Sequence, residues 1–153
     1  GWLAAHPECI RRLAVLRRYG ELSPPTLLQA ALARFCSEGH YERHISRMHR
    51  VYRKRMQVTL AALKRSISPE WAAWTRPNGG YLIWLSMAPS PPADWEAILA
   101  SEKVSAAPGN IFYSSEPAGV HFRLSISSLD EEEIEEGIRR LRRAFGKVYE
   151  RKG

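Results

Sequence analysis

Trp71-Ala72-Ala73-Trp74-Thr75, then Arg76-Pro77-Asn78-Gly79-Gly80, then Tyr81-Leu82-Ile83-Trp84-Leu85 is the stretch on which the fold turns. Two short apolar, aromatic runs flank a segment of proline, asparagine and glycine. Proline fixes φ and glycine reaches positive φ without a steric cost, so the order predicts strand, turn, strand. Composition changes just before it, at Ser68-Pro69, and the residues upstream read mainly as helix.

Downstream, residues 88–92 read as a proline-rich loop, and Asp94 is expected to cap a short helix reaching about Glu102. A short strand over 104–107 ends at Pro108-Gly109, and 110–119 reads as a loop. Residues 120–127 alternate: Phe122, Leu124 and Ile126 on one face, His121, Arg123 and Ser125 on the other. Ser128-Leu129-Asp130-Glu131 has the pattern of a capping box. The helix after it presents Ile134, Ile138, Leu141 and Phe145 as its core face, with acids at its start and bases at its end, as the helix dipole favours.

Upstream, Ile45, Met48, Tyr52, Met56, Leu60 and Leu63 step by three or four, predicting one helix over 40–66 with a narrow apolar stripe on a basic rod. At 1.5 Å per residue it would be about 40 Å long, a strut between two bodies rather than part of one small domain. Ser23 before Pro24-Pro25 predicts a capped helix through Leu28, Ala31, Leu32 and Phe35 that stops near Gly39. Pro7 opens a helix with Ile10, Leu13, Ala14 and Arg17 at helical spacing, stopped by Gly20, and residues 1–5 read as a short buried strand. The fold class is therefore α/β: helices on a small, mostly antiparallel sheet, preceded by a long helix.

The 153 residues suffice for a domain with a real core. No run is long and apolar enough to cross a membrane, and residues 1–7 lack a basic start and apolar core, so no signal peptide is expected. Cys9 and Cys36 lack metal-ligand spacing and are expected as two buried free thiols of a reducing cytoplasm, one disulfide being formally open. His40 and His44 stand four apart, but nothing completes a metal set. The net charge of +7 comes largely from Arg43, Arg47, Arg50, Arg53, Lys54, Arg55, Lys64 and Arg65 on the long helix. This pattern admits a nucleic-acid-binding or interaction module. Without interleaved aromatics or a reading-helix motif, it fits a solvated helix face better.

Four segments, in order, resemble the C-terminal portion of fold-type-I, class I/II aminotransferases: Gly1-Trp2-Leu3; Gly39-His40-Tyr41-Glu42-Arg43-His44-Ile45-Ser46-Arg47-Met48 with Tyr52-Arg53-Lys54-Arg55; Pro77-Asn78-Gly79-Gly80-Tyr81-Leu82-Ile83-Trp84-Leu85; and Pro108-Gly109 with Phe112, followed by Phe122-Arg123-Leu124-Ser125. The segment from Gly39 to Arg55 is especially similar to the branch of MocR-type regulators and 2-aminoadipate-like aminotransferases. The resemblance implies residues 1–22 as a remnant of a large cofactor-binding domain, 23–66 as interdomain helices and 67–153 as a small C-terminal α/β domain. It implies pyridoxal 5'-phosphate in the full-length protein, an amino-acid or 2-oxo-acid substrate and a homodimer. Nucleic acid would be bound only through an upstream winged-helix domain, if the protein is a regulator.

On pattern alone Arg123 is either a surface strand arginine paired with an acid or a ligand-binding group. The resemblance makes it the clamp for the substrate α-carboxylate, a task suited to a guanidinium because two parallel hydrogen bonds fix orientation as well as charge. Gly79 and Gly80 are turn glycines or points of close approach to substrate. Asn78, Tyr81 and Phe112 are further candidates to line the site. Ser23, Arg47 and Arg55 are expected in structural roles: a cap, and salt-bridged or solvent-facing arginines. Lys54, Lys64, Lys103, Lys147 and Lys152 lie in charged helices or at helix ends, unlike the family's Schiff-base lysine. That lysine is expected before Gly1, so this chain alone should bind no cofactor and be inactive.

Overall fold

The computed structural model describes residues 3–20, 25–88, 91 and 94–150. The chain divides into two compact units, Gly1–Ser46 and Arg47–Gly153.

The first unit holds α1 (Pro7–Gly20), α2 (Thr26–Ser37) and the beginning of α3 (His40–Ser66). Gly39, at φ +70°, ends α2, its N–H donating to the Cys36 carbonyl at 2.9 Å. No described residue of α1 or α2 is buried, so Cys9 and Cys36 are free but exposed, not buried as expected. The expected opening strand is also absent where it can be judged. Residues 3–5 are exposed and unpaired in any sheet, while Gly1 and Trp2 lie outside the described residues. The expected Ser23 cap lies outside them too; α2 is entered from Pro25, without a side-chain cap.

The second unit contains the rest of α3, a four-stranded sheet and two further helices, α4 (Trp95–Ser101) and α5 (Glu131–Tyr149). The strands are β1 (Ala72–Trp74), β2 (Leu82–Met87), β3 (Ala107–Pro108) and β4 (His121–Ser125), in the order β1-β2-β4-β3, every pair antiparallel. Alternation sets the two faces. Ile83, Leu85 and Met87 of β2 and Phe122 of β4 point into a core shared with Met56, Ala62 and Leu63 of α3, Ile98 and Leu99 of α4, and Ile134, Ile138, Leu141, Ala144, Phe145 and Val148 of α5. Leu82, Trp84 and Ser86 of β2 and His121, Arg123 and Ser125 of β4 face the other way.

Three local expectations shift. The capping box is Asp130 with Glu133: the Glu133 N–H donates to Asp130 and the Asp130 N–H to the Glu133 carboxylate, each at 2.8 Å. Leu129 packs on the core from outside the helix, and two carboxylates at the N-terminus suit the dipole better than a serine. Asp94 precedes α4 but caps nothing. Its φ of −92° and ψ of 16° lie outside the extended region that turns a capping side chain back onto the first turn. The strand expected over 104–107 shrinks to Ala107–Pro108 because the Val104 N–H is taken by the Leu99 carbonyl at the end of α4, 3.0 Å away.

Ion pairs tie the helices of this unit. Lys54 meets Glu131 at 3.2 Å and Arg65 meets Glu135 at 3.5 Å, joining α3 to α5. Glu102, at the end of α4, takes hydrogen bonds from Lys147 and Arg143, which hold its carboxyl below the ordinary 4.5. A carboxylate with a depressed folded pKa stabilises the fold fully above its unfolded value and loses that contribution as pH falls through the folded one. Urea midpoints of the protein and of Glu102→Gln should thus differ above pH 4.5 and converge on acidification below it. No described helix is long and apolar enough to cross a membrane.

Candidate functional site

The face of the sheet opposite the core gathers the side chains with chemistry. Register places Arg123 on β4 directly beside Trp84 on β2 and opposite Ala107 on β3. His121, two residues before Arg123, stacks on Trp84 with ring centroids 5.8 Å apart, and its Nδ1 meets the Ser86 hydroxyl at 3.0 Å. The segment after β3 crosses this face as a single 3-10 turn, Gly109–Phe112. It brings Phe112 and Tyr113 each within 5.8 Å of the Trp84 ring, and Tyr113 within 5.6 Å of His121. The Arg123 guanidinium carbon lies over the Phe112 ring, 4.4 Å from its centroid. Arg123 is half-buried, and among the described residues no carboxylate pairs with it. Of the two readings of the pattern, the acid-paired strand arginine finds no partner among the described residues.

Gly109 makes this arrangement possible. A Cβ built there would stand 2.6 Å from the His121 Cβ and 2.7 Å from the His121 carbonyl oxygen, closer than packed atoms approach. The turn can lie against β4 only because residue 109 has no side chain. Gly109→Ala is expected to destabilise the protein by about 1–3 kcal/mol, the usual cost of overpacking, and to push Phe112 off Arg123. A urea-unfolding titration reads the first effect; an unchanged midpoint would show that the turn relaxes freely.

The other candidates disperse. Gly80 sits at φ +80°, a conformation that calls for glycine, whereas Gly79 has an ordinary φ. No atom lies within 4 Å of a Cβ built on either, and Asn78 is exposed beside them. Tyr81 leans on Tyr52 of α3, ring centroids 5.4 Å apart, on the helix side of the sheet rather than beside Arg123. Phe112 alone among them meets Arg123. Arg47 is exposed. Arg55 departs from its expected surface role: half-buried, it donates to the Ile126 and Ser127 carbonyls at 3.3 and 2.6 Å, pinning the end of β4 to α3. Sequence reading missed that role and the Trp84–Arg123 pairing. Alternation puts Trp84 on the right face, but only the strand register makes it a neighbour.

The family model for aminotransferase class I and II matches residues 1–141. The chain belongs to this family. It is 36% identical over 92% of its length to a 2-aminoadipate transaminase of Thermus thermophilus, of which it covers 35%. It is 32% identical over 95% of its length to the HTH-type transcriptional regulator TauR of Rhodobacter capsulatus, of which it covers 30%. Its fold matches the α-aminoadipate aminotransferase LysN of Thermus thermophilus, solved with N-(5'-phosphopyridoxyl)-L-leucine, at TM-score 0.83 and 34% identity, covering 95% of this chain and 37% of that one. The chain thus spans about a third of the length of the relatives it matches. As an aminotransferase C-terminal portion it has the expected architecture, a small antiparallel sheet with helices on one face and a long helix leading in.

The described residues around Arg123 do not include the covalent seat of a pyridoxal group. Lys54 pairs with Glu131 and Lys147 with Glu102, Lys64 is exposed on α3, and Lys103 follows α4, so no described lysine shares the Arg123 face. No chemical step through that cofactor follows from these residues.

Proposed function

We propose that this chain supplies the substrate α-carboxylate arginine, Arg123, of a pyridoxal-phosphate-dependent aminotransferase that moves an amino group between an amino acid and a 2-oxo acid. The observation that carries the reading is a half-buried guanidinium without a carboxylate partner among the described residues, set in an aromatic frame on the face away from the core. A cation placed so retains its hydrogen-bond donors for a ligand. On this reading residues 67–153 are the small domain, 23–66 the interdomain helices and 1–22 part of a large domain that brings the cofactor and its lysine. Exposed Leu13, Leu16, Leu28 and Leu32 on α1 and α2 support it, since such apolar faces call for cover by further chain or by the second subunit of a homodimer. Gly79, Gly80 and Asn78 would border the substrate from the turn before β2, and the protein would work in the cytoplasm.

A second reading has support in the likeness to TauR: the same fold as the effector-sensing part of a regulator, with nucleic acid bound by another domain. The basic helix itself favours a structural role over DNA or RNA binding, because Lys54, Arg55 and Arg65 are spent on α5 and β4. The two readings separate on the full-length protein loaded with pyridoxal phosphate. Transfer of an amino group from L-2-aminoadipate, L-leucine or L-phenylalanine to 2-oxoglutarate is the enzyme's result. Ligand binding without turnover, together with duplex DNA binding, is the regulator's.

A further inference from the structure

We infer that Phe112 is a positioning residue, which holds the Arg123 guanidinium from one side and leaves its N–H donors free for a carboxylate. The inference rests on the reading of Arg123 as the carboxylate clamp and adds what readies that clamp.

An arginine side chain has many rotamers to lose, so a clamp that must be ordered by its ligand binds less well than one already in place. Proteins commonly order arginine with a carboxylate, but a carboxylate occupies the same N–H fork that a substrate would need. An aromatic ring attracts the cation through its π face and accepts no directed hydrogen bond at the fork. Arg123 shows this ring-held arrangement: its guanidinium carbon is 4.4 Å from the Phe112 centroid, and no described carboxylate pairs with it.

The ring is itself held. Trp84 meets it nearly edge-on, at 73° between planes, and Tyr113 and His121 close around Trp84. The turn carrying Phe112 starts at Gly109, which is pressed against His121 two residues from Arg123 on the same strand. Turn and clamp therefore share one anchor. Tyr113, although adjacent in sequence, turns its ring to His121 and Trp84 instead. The positioning task falls to residue 112 specifically.

The test is a double-mutant cycle in the full-length protein loaded with pyridoxal phosphate, with L-leucine and L-2-aminoadipate as probes in equilibrium titrations. Phe112→Leu should weaken binding about two- to fivefold, the loss expected for a partly exposed cation–π contact, and Phe112→Tyr should restore it. In an Arg123→Ala background, Phe112→Leu should change nothing further. An equal loss in both backgrounds, or failure of tyrosine to rescue, would overturn the proposal, because the ring would then act on ligand or fold directly. If Arg123→Ala itself leaves both probes bound as before, the carboxylate reading falls instead. The positioning role is then judged on selectively ¹⁵N-arginine-labelled protein. The Arg123 Nε–H resonance should carry a ring-current shift that Phe112→Leu removes and Phe112→Tyr keeps; no change in Phe112→Leu would sink it.

Discussion

Arg123→Ala in the full-length protein is expected to weaken amino-acid binding roughly 100- to 20,000-fold while pyridoxal phosphate still loads. Hydrogen bonds to a charged group contribute about 1.5–3 kcal/mol each, two are lost together, and every 1.4 kcal/mol is a factor of ten. Arg123→Lys should fall between, since the charge survives but the planar two-point fork does not. The control is an amine without the carboxyl group: 3-methylbutylamine should bind the parent protein and Arg123→Ala alike, where L-leucine should not. The fold should be nearly indifferent, because Arg123 points away from the core and pairs with no described carboxylate that its removal would leave unmatched. Equilibrium titration of both compounds, with cofactor absorbance as the loading check, decides it. Equal leucine affinity in parent and alanine variant would remove Arg123 from the site.

Much of the second unit was legible because its signals are local and agree with one another. The 40–66 helix matches the observed His40–Ser66, and it, the 3.6-residue stripe of α5 and the alternation of β4 follow from periodicity, while the two strands about the Pro77–Gly80 turn follow from turn residues set between apolar runs. Where expectation and structure differ, a neighbour decided. Val104 belonged to a strand by composition and was claimed by the end of α4. Ser128 fitted the capping pattern, but Leu129 is drawn onto the core and the helix start moves to Asp130. In the first unit the same periodicity named helices correctly but misjudged burial. Cys9 and Cys36 lie on helices that bury nothing among the described residues, and helical spacing says which face is apolar, not what covers it.

At the site, the sequence located the cation and its face but not its surroundings. His121 and Arg123 share a side of β4 by simple alternation, and Trp84 shares a side of β2 with Leu82 and Ser86. Their meeting depends on a register that no local signal encodes. Phe112 reads as one loop aromatic among several, and its place beneath the Arg123 guanidinium depends on Gly109, whose missing side chain lets the turn reach β4. Arg55 looked like one more base on a basic helix. Its two backbone acceptors are 71 and 72 residues away in sequence, a distance over which composition says nothing.

Phe122→Ala should produce the largest loss of stability, about 3–5 kcal/mol, because it empties an aromatic volume that the surroundings cannot collapse to fill. Phe122 is fully buried, stacked on Trp95 with ring centroids 6.0 Å apart and meeting Phe145 edge-on at 6.2 Å. It pairs in register with Leu85 on one side and Pro108 on the other, so it joins β2, β3, α4 and α5 at one point. A typical domain is stable by only about 5–15 kcal/mol, so a variant this damaged should show a much lower urea midpoint and a sizeable unfolded fraction on warming. Phe122→Leu should retain most of the midpoint by refilling most of the volume. The comparison with Arg123→Ala then separates the two faces of one strand. Residue 122 should move stability, with ligand affinity falling only as the folded fraction falls. Residue 123 should move affinity at nearly constant midpoint. A Phe122→Ala protein with a parental midpoint would contradict the core assignment, and with it the face assignment that leaves Arg123 open to a ligand.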